Sequence, residues 1–148
     1  MKTNRKIALA ALLVLMAIII FAAVPPSPNY TLTNISKNKS VNISMEIADN
    51  DLSRMRGLMF RDRVVPILFV FGYKGLFPIH SHYCPGEFDA VYLSSEGKVV
   101  EMFRKIPLGL DRIEPTKMAS FLLELPPEIT DRLKIEEGDK LSWKDLKK

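Results

Sequence analysis

The first strand predicted from the sequence is marked by alternating apolar and polar residues. In residues 41–47, Val41, Ile43, Met45 and Ile47 fall on one side and polar residues fall on the other. Because successive side chains of a strand point to opposite faces, this pattern is typical of a strand with one buried face. We therefore expect the folded domain to begin with this strand.

Short apolar runs between glycine and proline predict the remaining strands. Residues 66–71 are apolar on both faces, as in a central strand, and residues 72–75 predict a turn. The expected strands after that turn are one ending near residues 81–83, then 88–93, 99–106, 119–125 and 141–143. A glycine-containing turn at residues 95–98 joins two of them into a hairpin.

Two short helices complete the predicted domain. Asp49 or Asn50 caps a helix over residues 52–56, with Leu52 and Met55 on its inner face and Gly57 as its stop. Residues 126–127 are both proline and predict the start of a second helix near residues 128–133. The sum predicts a mainly β fold, a compact antiparallel β-sandwich or partly open barrel with two short helices.

The first 24 residues differ from the rest and predict a transmembrane helix or signal anchor. Residues 7–24 carry no charge, and Lys2, Arg5 and Lys6 precede them. As a helix this run spans about 27 Å, close to a hydrocarbon core of about 30 Å. The positive flank places the N-terminus on the cytoplasmic side of the membrane and the domain on the outer side. Cleavage near Ala22, as in a signal peptide, would instead give a secreted protein.

Composition excludes some functions for the exported part. Removing the three leader cations from 21 Lys and Arg leaves 18, against 17 Asp and Glu. Such a balanced domain gives no reason to expect nucleic-acid binding, which needs a concentrated basic face. With Cys84 as its one cysteine, the chain cannot form an internal disulfide.

Residues 25–40 predict a polar linker that lifts the domain off the membrane. They begin with prolines and are rich in Ser, Thr and Asn. Asn29, Asn34 and Asn38 each begin an Asn-x-Ser/Thr triplet and are candidate glycosylation sites. Asn42 begins a fourth triplet but falls within the first predicted strand. Such triplets also arise by chance in a segment of this composition.

His80, His82 and Cys84 are the cluster best suited to chemistry. In a strand, residues two apart face one side, so the two imidazoles could share zinc, copper or nickel. Cys84 could join them only if the chain bends at residues 85–86, and Asp89 or Glu87 from the next segment could complete the ligand set. The alternative is a hydrogen-bonded core histidine and a small buried thiol, with no cofactor. A Cys84 nucleophile activated by His82 is a further possibility, although nothing in the sequence orients the base.

Asp89 begins an apolar strand, where a carboxylate must be paired or solvated. Arg56 and Arg61 are its expected partners, which makes His80, Asp89, Arg56 and Arg61 the candidate ligand-binding residues. A buried ion pair that stabilises the fold is the simpler interpretation.

An ordered set of motifs resembles one known family, domain of unknown function 192. These motifs are residues 56–61 (RGLMFR), 68–71, 80–81, 97–100, 119–125 and 138–139, with Asp89 leading a strand. The resemblance covers residues 41–144 and leaves a charged tail at 145–148. It implies a compact β-sandwich, often exported or membrane-anchored in bacteria and archaea, and no established activity. His80–Ser81 resembles one branch of the family, whereas His82, Cys84 and Gly86 depart from the apolar residues common there.

These observations favour a non-enzymatic, membrane-anchored domain that binds a ligand or protein in the cell envelope. The alternatives are a metal-binding protein or enzyme centred on His80, His82, Cys84 and Asp89, and a purely structural envelope component. A concave pocket beside His80 would distinguish a binding domain from a structural one.

Overall fold

The structure is a computed structural model that describes residues 2–22 and 27–146. Within these ranges the chain forms three helices, α1 (Lys2–Ala22), α2 (Asp51–Arg56) and α3 (Pro127–Leu133). Eight strands are described: β1 (Asn29–Asn34), β2 (Lys39–Ser44), β3 (Glu46–Ala48), β4 (Ile67–Gly75), β5 (Phe88–Leu93), β6 (Val99–Ile106), β7 (Ala119–Leu125) and β8 (Leu141–Asp145). The predicted mainly β class with two short helices in the domain is confirmed.

The strands form two sheets and no closed barrel within the described residues. One sheet has the order β2-β1-β8 and the other the order β3-β4-β7-β5-β6. All pairings are antiparallel except that of β3 with β4. The run 41–47 supplies both β2 and β3, because the chain passes from one sheet to the other at Met45. The expected single strand is therefore two short strands.

The five-stranded sheet is apolar on both faces. Leu68, Val91 and Leu123 face the three-stranded sheet and α3, where they pack with Leu32 and Leu133. Their neighbours along the strands point the other way, into a second apolar layer formed by Ile67, Phe69, Ala90, Tyr92 and Leu122. Leu58 and the irregular segments around Ile79 and Ile113 cover this second layer.

The predicted polar linker at residues 25–40 is wrong for most of its length. Residues 29–34 are β1, the middle strand of the three-stranded sheet, paired with both β2 and β8. Leu32 points into the core, while Thr31 and Thr33 bond Asn42 and Ser40 across the exposed face. The polar composition thus belongs to the outer face of a hairpin. Residues 23–26 lie outside the described residues.

Asn34 is not available as a glycosylation site in the folded domain. Its side chain is buried, and its amide donates to the backbone oxygen of Leu133 and to Oδ2 of Asp139, at 3.1 and 2.8 Å. Asn29 and Asn38 are exposed and remain predicted sites.

Two predictions between β4 and β5 are also wrong. Residues 72–75 continue β4 past an irregularity in its pairing with β7, and Gly75 pairs with Ala119. No strand covers residues 76–87, where the structure has only an isolated bridge between Ile79 and Ile113. The second face of the large sheet is therefore covered by loops, since this segment folds over it.

α2 has the predicted N-cap, but the side chains that it turns toward the sheet are not the predicted ones. The Asn50 side chain accepts from the Ser53 backbone, and the Ser53 hydroxyl accepts from the Asn50 backbone, which completes a capping box. Leu52 and Met55, expected inside, are 45% and 61% exposed, whereas Arg56 is buried. The helix thus turns its arginine toward the sheet.

Among the residues that the structure describes, no helix combines the length and the apolar character that a membrane crossing requires. The uncharged run 7–24 ends at Ala23 and Val24, which lie outside the described residues.

Two glycines, one in the turn between β5 and β6 and one in the loop after β6, allow a test of how closely the backbone packs. Gly97 and Gly109 both have positive φ, +79° and +82°. A Cβ on Gly97 would lie 2.4 Å from the backbone oxygen of Leu141, whereas one on Gly109 would meet nothing within 4 Å. We expect Gly109→Ala to lower the free energy of unfolding by about 1–2 kcal/mol through conformation alone.

Gly97→Ala is expected to cost clearly more than this, roughly 3 kcal/mol or above, because the start of β8 must also move. Urea unfolding of the two variants measures the difference. Equal losses would show that the contact with Leu141 is unimportant.

Candidate functional site

A cavity of about 260 Å³ lies on the loop-covered face of the five-stranded sheet. Residues 54–59 of α2 and the loop after it form one wall, and residues 78–80 with Cys84 form another. Phe69 of β4 and Glu124 of β7 come from the sheet. One short helix and irregular segments, rather than a second sheet, thus surround the cavity on this side.

Glu124 is the most deeply buried polar residue that lines this cavity. It lies on the central strand β7, where it pairs with Ile67 on one side and Ala90 on the other. The residue is 5% exposed, and its Oε2 has no hydrogen-bond partner among the described residues. An unsatisfied carboxyl in an apolar layer is costly, so its position calls for a functional explanation.

Burial controls the protonation of Glu124. Removal from water raises the pKa of its carboxyl to about 8, and the charge of Arg61 opposes this shift only in part. A carboxyl with this pKa is mostly protonated at neutral pH and can donate a hydrogen bond. Glu124 therefore resembles the carboxylic acids that enzymes and binding sites keep neutral in apolar surroundings.

Cys84 lines the same cavity but is unsuited to nucleophilic attack. Burial, and then the charge of Glu124, raise the pKa of its thiol to about 11. The reactive form of cysteine is the thiolate, which needs a lowered pKa. His82, its expected base, contacts Asp111 instead, with Nε2 2.5 Å from Oδ1. The predicted Cys84–His82 pair therefore gains no support from the geometry.

The predicted metal cluster also rested on a strand that does not form. His80 and His82 lie in an irregular segment, with their ring centres 6.2 Å apart. His80 lines the cavity with Cys84, whereas His82 turns toward Asp111. Within the described part of the chain, no three His, Cys, Asp or Glu residues are grouped so that they could hold a metal ion.

Asp89 lies apart from the cavity and has a different partner from the two expected. It is fully buried, with Oδ2 2.7 Å from Nε of Arg104, and its Oδ1 accepts from the Lys105 backbone at 2.6 Å. Phe88 pairs with Ile106, so the register between β5 and β6 places residues 104–105 beside Asp89. The expected pairing with Arg56 or Arg61 is wrong, whereas the interpretation as a buried ion pair is confirmed.

Arg61 forms a second buried ion pair at the edge of the site. Its two terminal nitrogens donate to the two oxygens of Glu46, at 2.5 and 2.6 Å, and its Nε donates to the Gly57 backbone. The side chains of Arg61 and Glu46 are 8% and 5% exposed. Such a two-pronged pair fixes the loop after α2 onto β3.

Arg56 connects two cavities. It lines the Glu124 cavity and also a more polar one of about 490 Å³ with Glu46, Arg61 and Arg63. Burial lowers the pKa of its guanidinium, as does the neighbouring charge of Arg61, while Glu46 raises it. Of the four predicted ligand-binding residues, His80 and Arg56 thus share the Glu124 cavity, while Arg61 lies beside it and Asp89 is elsewhere.

The rim of the site carries an aromatic pair. Phe60 and Tyr83 are 66% and 69% exposed, and their rings stack with centres 5.0 Å apart. Both residues have positive φ, +58° and +57°, and the Phe60 backbone donates to the Tyr83 oxygen at 2.9 Å. Left-handed conformations are uncommon for bulky residues and concentrate at functional sites.

Two features of the site are absent from the sequence predictions: Glu124 and the aromatic pair. Glu124 did have a signal, since it is the one charged residue in the apolar strand 119–125. The pairing of Phe60 with Tyr83 has none, because it depends on how two loops meet.

The fold and the site together define a class: a small two-sheet domain with a loop-covered cavity over a buried carboxyl. The chain belongs to the DUF192 family, described as an uncharacterized ACR, whose family model matches residues 32–143. The family that the motifs predicted is therefore confirmed, and the match begins at residue 32, ahead of the predicted start at residue 41.

Similar proteins include the UPF0127 proteins of Pyrococcus abyssi and Pyrococcus furiosus, at 31% and 29% identity over 114 residues. Each alignment covers 76% of this chain, with 96% and 97% of the respective relative. A crystal structure from Sinorhizobium meliloti 1021 is similar with a TM-score of 0.71 at 21% identity, covering 82% of this chain and 98% of that one. This likeness shows the shared fold.

Glu124→Gln is expected to remove a pH dependence of stability. The carboxyl has a pKa of about 8 in the folded chain, against an ordinary value of 4.5. Glu124 stays protonated to a higher pH in the folded state than in the unfolded state. The free energy of unfolding therefore falls as the pH rises between these two pKa values and is constant above them. The loss amounts to as much as about 5 kcal/mol.

Urea titrations at about pH 5 and about pH 9 test this for the wild type and Glu124→Gln. The matched control is Glu114→Gln, at an exposed glutamate paired with Arg112. If Glu124→Gln and wild type lose stability equally toward alkaline pH, the buried carboxyl is not the cause.

Proposed function

We propose that this protein is a non-enzymatic binding domain that takes a small ligand in the Glu124 cavity. The observation that carries the proposal is Glu124, which lines the cavity and whose buried Oε2 lacks a hydrogen-bond partner among the described residues. A ligand that bonded this atom would offset the cost of burying it.

The lining of the cavity supports small-molecule binding. Ligand sites combine apolar walls with a few placed polar groups and begin at about 300 Å³, so a cavity of about 260 Å³ suits only a small ligand. Here the walls are Leu58, Phe69 and Ile79, and the polar groups are Glu124, Arg56 and His80 among others. The presence of a cavity beside His80 favours binding over a purely structural role.

We further propose that the domain acts outside the cytoplasmic membrane, held there by the leader. The uncharged run 7–24 and the cations before it support this location. Because β1 begins at Asn29, only residues 25–28 separate this run from the first strand. The ligand would then come from the cell envelope, close to the membrane surface.

Blocking the cavity tests ligand binding. We expect Ile79→Trp to abolish the thermal shifts that small neutral and charged fragments produce with the full chain, because its indole would occupy the cavity. Leu108→Trp is the matched control, since Leu108 is 52% exposed and does not line the cavity. Both variants need wild-type circular dichroism. Fragments that stabilise all three proteins equally, or none, would contradict the proposed site.

Location is tested separately by fractionation and intact mass. A retained leader predicts a chain that begins at Met1 and resists extraction from membranes by high salt. A soluble exported chain that begins after Ala22 would establish the cleaved form instead and overturn the tether.

A further inference from the structure

The chain enters the folded domain at a fixed point beside Phe60, one ring of the aromatic pair. The Ser27 backbone oxygen accepts from the Ser44 hydroxyl at 2.6 Å, and the Pro28 oxygen accepts from the Met45 backbone at 3.0 Å. Ser27 also lines the more polar cavity of about 490 Å³, as Phe60 does. The first residues of the domain are therefore held at the junction of β2 and β3, close to Phe60.

Only a short length of chain separates this point from the leader. The uncharged run ends at Val24, three residues before Ser27. Three residues of extended chain reach at most about 11 Å, since each spans up to about 3.6 Å. The headgroup layer on each side of a bilayer is about 5–8 Å thick, from the difference between the whole membrane and its hydrocarbon core. An inserted leader therefore brings the Ser27 end of the domain to the headgroups.

The face around this point carries groups suited to a membrane interface. Phe60 and Tyr83 are both exposed, and their stacked rings present one apolar surface with a phenol hydroxyl. Aromatic rings with a polar edge concentrate at membrane interfaces. Arg63 is exposed and lines the same cavity as Phe60, and its charge is one that lipid phosphates attract. Asp62 is exposed beside it, so the rings rather than the net charge dominate this face.

The backbone at the two rings supports a dedicated surface. Phe60 and Tyr83 both have positive φ, which is an unfavourable conformation for bulky residues. Two bulky apolar side chains held in this way would ordinarily be buried in the core of the domain, yet these two are exposed. Exposed apolar groups that lie together mark contacts with another molecule or with a membrane. The closeness of the leader favours the membrane.

We infer that Phe60 and Tyr83 form the membrane-facing surface of the domain, with their rings in the headgroup layer and Arg63 on lipid phosphates. This inference rests on the proposed location and specifies how the domain is oriented there. Ile35 follows β1 at its other end, roughly 20 Å from Asn29 by the rise of about 3.3 Å per strand residue. That end of the domain therefore faces water.

Single-tryptophan variants of the full chain test this orientation. Trp143→Phe removes the one native indole, and Phe60→Trp or Tyr83→Trp then places an indole at the inferred surface. Ile35→Trp is the matched control, because Ile35 is also an exposed apolar residue and lies at the far end of β1. Each variant is reconstituted in phosphatidylcholine vesicles with and without bromine on the acyl chains near the headgroup. Bromine quenches the emission of an indole that contacts it.

We expect bromine to remove much of the emission of Phe60→Trp and of Tyr83→Trp, because their indoles would lie among the lipids. The emission of Ile35→Trp should be the same with and without bromine. Each variant needs the circular dichroism of the wild type. The two reporters lie on different loops, so that one is sufficient if the other variant does not fold.

Charge variants test the contact with lipid phosphates. Adding the anionic lipid phosphatidylglycerol should increase the quenching of Phe60→Trp, and Arg63→Glu should remove this increase. Arg132→Glu is the matched control, since Arg132 is exposed on α3, where Leu133 accepts from Asn34 at the far end of β1. It should leave the increase intact. Equal effects of the two charge variants would overturn the contact of Arg63 with lipid.

The outcomes separate the orientation from the proposed location. If both reporters keep their emission while the chain is recovered with the vesicles, the orientation is overturned and the tether stands. Equal quenching of Ile35→Trp would also overturn it, because the domain would then have no fixed face toward lipid. A chain that does not associate with vesicles would overturn the tether and the orientation together. The ligand cavity is tested separately by Ile79→Trp.

Discussion

Burial of the five-stranded sheet on both faces is the constraint on which the rest of this molecule depends. One face meets a second sheet, and two regular surfaces with alternating side chains can pack densely. The other face is covered by α2 and by loops, which follow no repeat that matches the sheet. The cavity forms on this second side, where a regular cover is lacking. The position of the candidate site is thus a consequence of the layer arrangement.

The buried charges divide into those that stabilise the fold and one that does not. Glu46 is paired with Arg61, and Asp89 is paired with Arg104. In both pairs the partners come from neighbouring elements, so that the geometry offsets the cost of desolvation. Glu124 lies in the same sheet as both acids. Its Oε2 and Oδ2 of Asp89 both lack a hydrogen-bond partner within the described residues, but Oδ2 of Asp89 lies 2.7 Å from Nε of Arg104. This ion pair is what separates the structural Asp89 from the candidate functional Glu124.

The sequence predicted the elements whose signal is local. The hairpin of β5 and β6 and the strand β7 follow from alternation or from compact apolar runs with turn residues between them. β1 was missed because its inward side holds Leu32 beside Asn34, and the buried amide made the run look like a linker. The sequence predicts a strand that ends near residues 81–83, where the structure has a loop, because apolar residues that face a sheet can belong to either.

The candidate site was likewise predicted only where its residues have a local signal in the sequence. Arg56 and His80 were identified from their motifs, and both line the cavity. The partner of Asp89 was not identified, because the register between β5 and β6 decides it and an irregularity in their pairing hides that register from the sequence. Glu124 was overlooked because an apolar run with one acid still has the pattern of a core strand. Recognising its role requires knowing that a cavity, rather than a packed side chain, lies beside it.

The stacked Phe60 and Tyr83 have a consequence for how a molecule reaches the interior. One belongs to the loop after α2 and the other to the loop before β5, and a backbone hydrogen bond joins them. Their neighbours Met59 and Cys84 line opposite parts of the cavity wall. The two loops are therefore clasped at their tips, and neither can swing outward while the clasp holds. Under the proposed function, a ligand that needs the two loops to part would have to break this stack and this hydrogen bond together.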